Sequence, residues 1–446
     1  MPVCAIEYRY GREEMKRIFS EEAKLQAMLD VEAALARALA KVGRVPVSAA
    51  KAITSKASTR IVKVQRVNAI EREISHDIMS VVRALSEQCG EAGGYVHLGA
   101  TSNDIIDTAT ALQLKSAMTI IIKDCRQLRD SMLVLAAKYR RTPMVGRTHG
   151  QFAVPVTFGL KMAVFAMEMQ RHIERLEQAE PRVCVGKLAG AVGTGAALGK
   201  DALKVQDLLM RELGLGTEEA ATQLVGRDRY AELVMIFANI AASIERYGTE
   251  IRNLQRSEIG EVAEAFNAKK QVGSSTMAHK RNPITSENVC GLARIVRSYV
   301  TPTLENIVSW HERDLTNSSA ERFILPHVCV LTDDIIVKMD RVIRGLEVFP
   351  GKMRGNIDSA GGLIMAESVM IALTGKGMGR QDAHEATRKA AMLSVEKGVP
   401  YKEALLRNPK IKKLLSPREL AKVLDPMSYI GSAEEIVERA LKFKGK

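Results

Sequence analysis

The chain has 446 residues, with 65 Lys and Arg against 52 Asp and Glu, a formal charge of +13 at pH 7. Apolar residues make up 46% and charged residues 26%, the balance of an ordinary globular protein, so whole-chain disorder is excluded and the length suggests about three domains. Charges of both signs are interspersed; the dense basic stretches are Lys410 to Lys413 and Lys442 to Lys446. No RNA-binding aromatic signature accompanies them, so no nucleic-acid partner is expected and the positive field is suited to small anions.

Aromatics are only 4%, while Ala, Met, Leu, Glu, Lys and Arg are plentiful. Straight-chain residues lose little rotamer freedom in a helix, so the expected class is all-α. No uncharged apolar stretch reaches the roughly 18 residues of a membrane span. The start, MPVCAIEYRYGREEM, has no basic n-region or apolar h-region, so no membrane contact and a cytoplasmic location are expected. Six scattered cysteines without C-x-x-C, and the absence of H-E-x-x-H, make reduced apolar thiols the expectation, with no metal and no cofactor.

In chain order, a helical N-terminal part is expected over 1–107. It carries Glu73-Ile74-Ser75-His76-Asp77, then His97, then Thr101-Ser102-Asn103-Asp104 opening a helix. A central part over 108–349 follows, with apolar residues stepping alternately by three and four. The first such stripe is Met118, Ile121, Cys125, Leu128, Met132, Leu135, Tyr139. The turn Gly146-Arg147-Thr148-His149-Gly150-Gln151 comes next, then a looser helical pattern over 156–178. Gly190 to Gly199 imitates a dinucleotide loop, but a helix precedes it and no βαβ unit surrounds it, so a tight interhelical turn is expected.

A second strict stripe runs Tyr230, Leu233, Phe237, Ile240, Ile244, Tyr247, Ile251, Leu254, and a third Leu325, Val328, Thr332, Ile335, Met339, Val342, Leu346. A further helix is expected over 284–309. Five rods of about 25 residues, each about 37 Å long, read as one long central bundle. Their apolar surface exceeds what five helices cover among themselves, so a helix-mediated homo-oligomer is expected. Phe349-Pro350-Gly351 marks a boundary to a helical C-terminal part, 350–446, with helices at Asp382 to Lys397, Tyr401 to Leu406, Ser416 to Val423 and Ser432 to Leu441.

The segment NAKKQVGSSTMAHKRNPITSE, Asn267 to Glu287, is polar and lies between long helices. Gly273-Ser274-Ser275 sets two hydroxyls beside a flexible point, Lys280 and Arg281 add charge, and Asn282-Pro283 is a good helix start. A loop landing on a helix N-terminus suits an anion. With the His-bearing turns, these segments hold the groups needed for proton transfer and carboxylate binding; which of Ser274 and Ser275 would react stays open.

GSSTMAHKRNP resembles the signature loop of the fumarase/aspartase superfamily, commonly G-S-S-x-M-P-x-K-x-N-P, and GRTHGQ and GATSNDIIDTA resemble its other shared regions in the expected order. Trp310-His311-Glu312-Arg313-Asp314 with Ser318-Ser319-Ala320-Glu321-Arg322 is similar to the adenylosuccinate lyase family. Arg9-Tyr10, Ser75-His76-Asp77, Ala221-Thr222-Gln223 and Arg227-Asp228-Arg229 are similar to it as well. The 3-carboxymuconate cycloisomerases share WHERD and KRNP but generally not S-S-A-E-R. The superfamily has also produced silent lens proteins, against which Ser274, His149, Lys280 and Asn282 together speak. One departure is Ala278 where the family usually has Pro, which raises the entropy lost on ordering the loop by about 0.4–1 kcal/mol if the native φ suits proline.

The resemblance implies a homotetramer with a twenty-helix core and active sites shared between subunits. It implies elimination of fumarate from adenylosuccinate, giving AMP, and from the succinyl-carboxamide ribotide SAICAR, giving AICAR. By matching position, Ser274 is the base and His149 the acid, with Lys280 and His76 also in the catalytic set. Lys280 and Asn282 would hold the succinyl carboxylates with Thr101 and Ser102 assisting. Arg9, Tyr10, Arg313, Ser318 and Arg322 would hold the phosphate, with Ser75, His76, Asp77 and His97 close by and Gln223 on the substrate.

Overall fold

The alternating three- and four-residue spacing becomes helix, and each stripe it marks is buried. All eight residues from Tyr230 to Leu254 are buried, as is the stripe from Leu325 to Leu346; in the stripe from Met118, Tyr139 alone is half-exposed. The computed structural model describes residues 3–266, 277 and 280–445.

The N-terminal helices are α1 (Ala5–Tyr8), α2 (Glu13–Ile18), α3 (Glu21–Lys41), α4 (Val47–Lys56), α5 (Val64–Ile74) and α6 (Asp77–Ser86). The long ones follow: α7 (Ser102–Lys138), α8 (Phe158–Val183), then short α9 (Ala202–Leu213), α10 (Asp228–Leu254), α11 (Ile284–Ser298), α12 (Val300–Glu305) and α13 (Thr316–Gly345). The chain closes with α14 (Pro350–Ser359), α15 (Ala366–Gly375), α16 (Arg380–Lys397), α17 (Tyr401–Leu406), α18 (Pro409–Leu414), α19 (Pro417–Val423) and α20 (Ala433–Leu441). The all-α class holds, and the four C-terminal helices read from the sequence lie within two residues of their expected bounds. Ser416 shows why: its side chain accepts the Glu419 N–H while Glu419 reaches back, a capping box that fixes the start of α19.

Three expectations change. The helix expected over 284–309 is broken between α11 and α12, because Pro302 has no N–H to offer the Ser298 carbonyl and its ring crowds that group. The turn around His149 is not a simple link between helices but the tip of an antiparallel hairpin, β1 (Pro143–Thr148) with β2 (Gln151–Thr157). The other strands among the described residues are two-residue pairings: β3 (Val185–Gly186) with β4 (Gly216–Thr217), and β5 (Val262–Ala263) with β6 (Glu347–Val348). The glycine-rich stretch 190–199 lies between α8 and α9 but is not the tight turn expected: it belongs to a longer connection that carries β3 and ends in a 3-10 helix, Ala196–Asp201.

The elements fall into two compact units that interleave along the chain. One comprises Met1–Cys125, Arg171–Ile244 and Gly291–Val337; the other Arg126–Gln170, Glu245–Cys290 and Lys338–Lys446. The expected parts 1–107, 108–349 and 350–446 describe a different property, the order of short and long helices. In the first unit, Ala33, Ala34, Ala36 and Ala38 give α3 a close-packing surface, and α3 packs on α4 and α9. In the second, Val369, Leu373, Tyr401, Leu405, Ile411 and Leu420 form a core among the C-terminal helices. Helix α7 has the length and apolarity to cross a membrane, but 61% of its apolar window is buried within the protein, as in a core helix.

Phe237 is fully buried on the inner stripe of α10. Truncating it to alanine is expected to cost about 3–5 kcal/mol, measured as a shift of the denaturant midpoint at unchanged slope; a shift under about 1 kcal/mol would contradict a tightly packed stripe.

Candidate active site

In the first unit, a cavity of about 1070 Å³ opens among the ends of several helices. The α5–α6 junction supplies Ser75, His76 and Asp77, the start of α7 supplies Ser102 and Asn103, and the 313–326 stretch supplies Arg313, Ser318 and Arg322. Seven of these eight, all but Asn103, are site residues expected from the sequence, and they line one space. Each is aimed by local backbone chemistry.

Ser75 ends α5 in the left-handed conformation, φ +52°, and turns the chain sharply. His76 then caps α6, its Nδ1 accepting the Met79 N–H at 3.3 Å. That bond makes Nδ1 an acceptor, so the neutral ring carries its proton on Nε2. Asp77 accepts from Arg322 at 3.1 Å.

The start of α7 is held by buried charge. The Asp104 carboxylate accepts the Thr101 N–H at 2.8 Å, the Ala189 N–H at 3.0 Å and the Gly190 N–H at 3.1 Å. It also accepts from Lys187, and both side chains of this pair are fully buried. One turn on, Asp107 takes both Arg227 Nη atoms, at 2.9 and 3.0 Å, while Arg227 Nε donates to Glu321 at 2.8 Å. Burial pushes the Glu321 carboxyl up despite the guanidinium beside it. This fork fixes α13, and with it Ser318 and Arg322, against α7.

Arg313 donates to the Gln223 side-chain carbonyl, whose amide donates to the Ala191 carbonyl at 2.7 Å. Glu321, next to Arg322 in the chain, belongs to Arg227 instead. Gln223 braces Arg313 and does not itself line the cavity. Thr101, Arg9 and Tyr10 are also outside the lining, with Arg9 exposed at the end of α1. His97, φ +63°, is turned onto buried Glu32, its Nδ1 at 2.6 Å from the carboxylate.

The second unit carries the other group. His149 and Gly150, φ +54° and +77°, form a two-residue hairpin turn between the paired residues Thr148 and Gln151; positive φ at both central positions suits the right-handed twist of the strands. His149 is exposed at the tip. Behind it Arg147 grips fully buried Glu261 with two bonds, at 3.0 and 2.9 Å, and Asn356 donates to the same carboxylate at 2.8 Å. Lys280 is exposed and Asn282 half-buried, just ahead of α11. Ser274 lies outside the described residues, as do Ser275 and Ala278.

The expected anion seat at the start of α11 is already filled. Glu264 accepts the Thr285 N–H at 3.2 Å and the Ser286 N–H at 2.7 Å. The helix end takes an anion, as its dipole favours, but the anion is the chain's own carboxylate. Sequence reasoning missed Glu264, Lys187, the pairing of Asp107 with Arg227, and the hairpin; the His-Gly pair between apolar stretches was the available sign of the last.

Comparison with known proteins matches residues 7–297 to the family model described as Lyase and residues 362–440 to that described as Adenylosuccinate lyase C-terminus. The chain is 52% identical to the adenylosuccinate lyase of Pyrococcus abyssi over 443 residues, 99% of this chain and 98% of the relative. Among solved structures, a fumarate lyase from Mesorhizobium sp. BNC1 is similar with TM-score 0.90 and 35% identity, covering 100% of both chains. The 3-carboxy-cis,cis-muconate lactonizing enzyme from Pseudomonas putida is similar with TM-score 0.89 and 35% identity, covering 99% of this chain and 98% of that one.

The His97–Glu32 pair yields a pH dependence. Burial pulls the imidazole down, but the Glu32 hydrogen bond and charge, with Asp104, outweigh it and raise His97 above its ordinary 6.5. The pair's stabilisation is fully present below pH 6.5 and is lost as pH rises through the raised folded value. Glu32→Gln is expected to flatten that part of the stability–pH curve in chemical denaturation; an unchanged slope would show that the pair is not linked to folding.

Proposed function

The chain belongs to the adenylosuccinate lyase family, and on that footing we propose that it cleaves the C–N bond of succinyl-amine nucleotides, releasing fumarate. Its substrates are adenylosuccinate, giving AMP, and SAICAR, giving AICAR. The observation that carries this reading is the cavity in which Arg313, Ser318 and Arg322 meet Ser75, His76 and Asp77. A purine nucleotide needs such a set, because planar guanidinium forks pair with phosphate oxygens. Identity of 52% to an adenylosuccinate lyase against 35% to a muconate lactonizing enzyme favours the same substrate class.

The chemistry asks for three things. A proton must leave carbon beside a carboxylate already negative, the growing charge must be met by fixed donors, and the departing nitrogen must gain a proton. In this reading Ser274, ionised, removes the carbon proton, the electron pair forms the new double bond, and the C–N bond breaks. His149 protonates the nitrogen, a contribution of about 10²–10⁴-fold. Lys280 and Asn282, with Thr101 and Ser102, hold the succinyl carboxylates. Arg9 and Tyr10 join the phosphate set, and Gln223 acts on substrate or through Arg313. The enzyme works in the cytoplasm, in keeping with its six free thiols.

Four copies assemble, with each site drawing residues from more than one. Exposed Val134, Val164, Met235, Ile295 and Phe323 on the long helices supply apolar surface for this. A monomer by light scattering at micromolar concentration would refute it.

An ultraviolet assay for fumarate release from adenylosuccinate, repeated with SAICAR, tests the activity; no turnover of either sinks it. Ser274→Ala and His149→Ala are each expected to lower turnover by about 10²-fold or more while the helical circular dichroism stays the same. Mixing the two inactive variants and exchanging subunits should restore part of the activity. Near-normal rates in both single variants would remove these roles, and no recovery after verified exchange would make each site self-contained.

A further inference from the structure

An ammonium taken out of water without a partner is costly, so an unmatched one at a cavity wall marks where a ligand supplies the counter-charge. Each of the cavity's arginines has a hydrogen-bond partner: Arg227 has Asp107 and Glu321, Arg313 the neutral Gln223, Arg322 Asp77. Lys24 is the exception. It lies on α3, lines the same cavity and is half-buried. Among the described residues its ammonium makes no hydrogen bond or ion pair.

The charged groups acting on Lys24 come from four helices. Glu71 lies on α5, Asp77 starts α6, Arg322 is on α13, and Glu21 is on its own helix. Burial and then the charge of Arg322 lower its pKa, more than the three carboxylates raise it. A second unmatched group shares the cavity. Asn103 is 4% exposed, its amide donates to Asp107 at 3.2 Å, and its carbonyl oxygen is buried without a partner. A cation without a bonded partner and an acceptor without a donor in one cavity call for a ligand that is both anionic and a hydrogen-bond donor. A nucleotide, with a phosphate and ribose hydroxyls, is one.

We propose that Lys24 is a substrate-binding residue whose ammonium pairs with the phosphate of the bound nucleotide beside Arg322. This rests on the lyase reading above. The phosphate is chosen over the succinyl carboxylates because Arg313, Ser318 and Arg322 share the cavity with Lys24. A dianion set between Lys24 and Arg322 removes their mutual repulsion and favours the charged lysine. At alkaline pH, binding therefore takes up a proton.

The test uses the full-length enzyme with Lys24→Met, which keeps the aliphatic stem, and Lys24→Arg, which keeps the charge. With Lys24→Met, KM for adenylosuccinate and Kd for AMP by calorimetry should rise about 10- to 100-fold, the range of a lost hydrogen bond to a charged group. The change in kcat should be the smaller one, and Kd for adenosine should stay the same. Lys24→Arg should restore most of the affinity and abolish its decline at alkaline pH. An unchanged AMP affinity in Lys24→Met overturns the proposal. So does equal weakening of AMP and adenosine, which means packing, or selective weakening of fumarate, which means a carboxylate seat. Wild-type protein that binds AMP yet cleaves neither succinyl nucleotide would defeat the lyase reading alone, and the AMP-against-adenosine comparison would still decide Lys24.

Discussion

Two carboxylates one turn apart at the start of α7, Asp104 and Asp107, carry the geometry of the cavity. Each is at most 1% exposed and each holds a cation with little or no solvent contact, Lys187 and Arg227. Neither pair is a source of large net stability, because removing the charges from water offsets most of their attraction. Their effect is on specificity of structure. Breaking either pair leaves a buried charge alone, typically a loss of about 3–5 kcal/mol, so the chain segments that bring the partners have one acceptable position. Those segments are the ones that matter: 187–190 hangs on Asp104, 225–227 on Asp107, and α13 on Arg227 through Glu321.

Strain is placed in the same motifs. Among the described residues, the non-glycine positions with positive φ are Ser75, His97, His149 and His311. For such residues this conformation costs about 1–2 kcal/mol each, and it persists only where surroundings over-determine it. At Ser75 the constraint is the junction of α5 with α6; at His97 it is buried Glu32; at His149 it is a two-residue turn between paired strands. In each case the left-handed residue lets a short segment reverse direction while a functional group or its neighbour stays aimed. Gly150, φ +77°, completes the hairpin in a conformation that side-chain-bearing residues rarely adopt, with open space around it.

What could be read from the sequence is what is encoded locally. The stripe from Tyr230 to Leu254 needs only residue spacing, and all of it is buried as spacing requires. The start of α19 needs only Ser416 and Glu419 three apart. Pairing between distant positions left no such mark. Nothing near Asp107 in the sequence points to Arg227, and nothing near Ser286 points to Glu264 as the group that closes α11. The hairpin at His149 falls between: its turn residues are local, but the apolar run of β2 reads equally as the first turns of α8. The break before α12 was legible in principle, since Pro302 sits inside the expected helix. The motifs quoted for the family located His76, Arg313, Ser318 and Arg322 in one cavity, yet spacing alone would have left each as a surface side chain.

The cavity's charge pattern sharpens what it selects. It is not simply basic: Glu21, Glu71, Asp77, Asp314 and Glu321 share its walls with Lys24, Arg227, Arg313 and Arg322. What distinguishes the cations is how each is compensated. Arg227 is neutralised by two carboxylates and serves the framework. Arg322 is steadied by Asp77, a half-exposed pair whose mutual attraction water weakens. Arg313 is oriented by Gln223, a neutral amide that fixes the guanidinium without cancelling its charge. An arginine held by a neutral acceptor and one held loosely by a carboxylate are both preorganised, so an incoming anion meets donors already in place and little ordering entropy is lost on binding. A uniformly basic pocket would attract any polyanion; acids that share the walls with these cations repel negative charge that is not set against a cation.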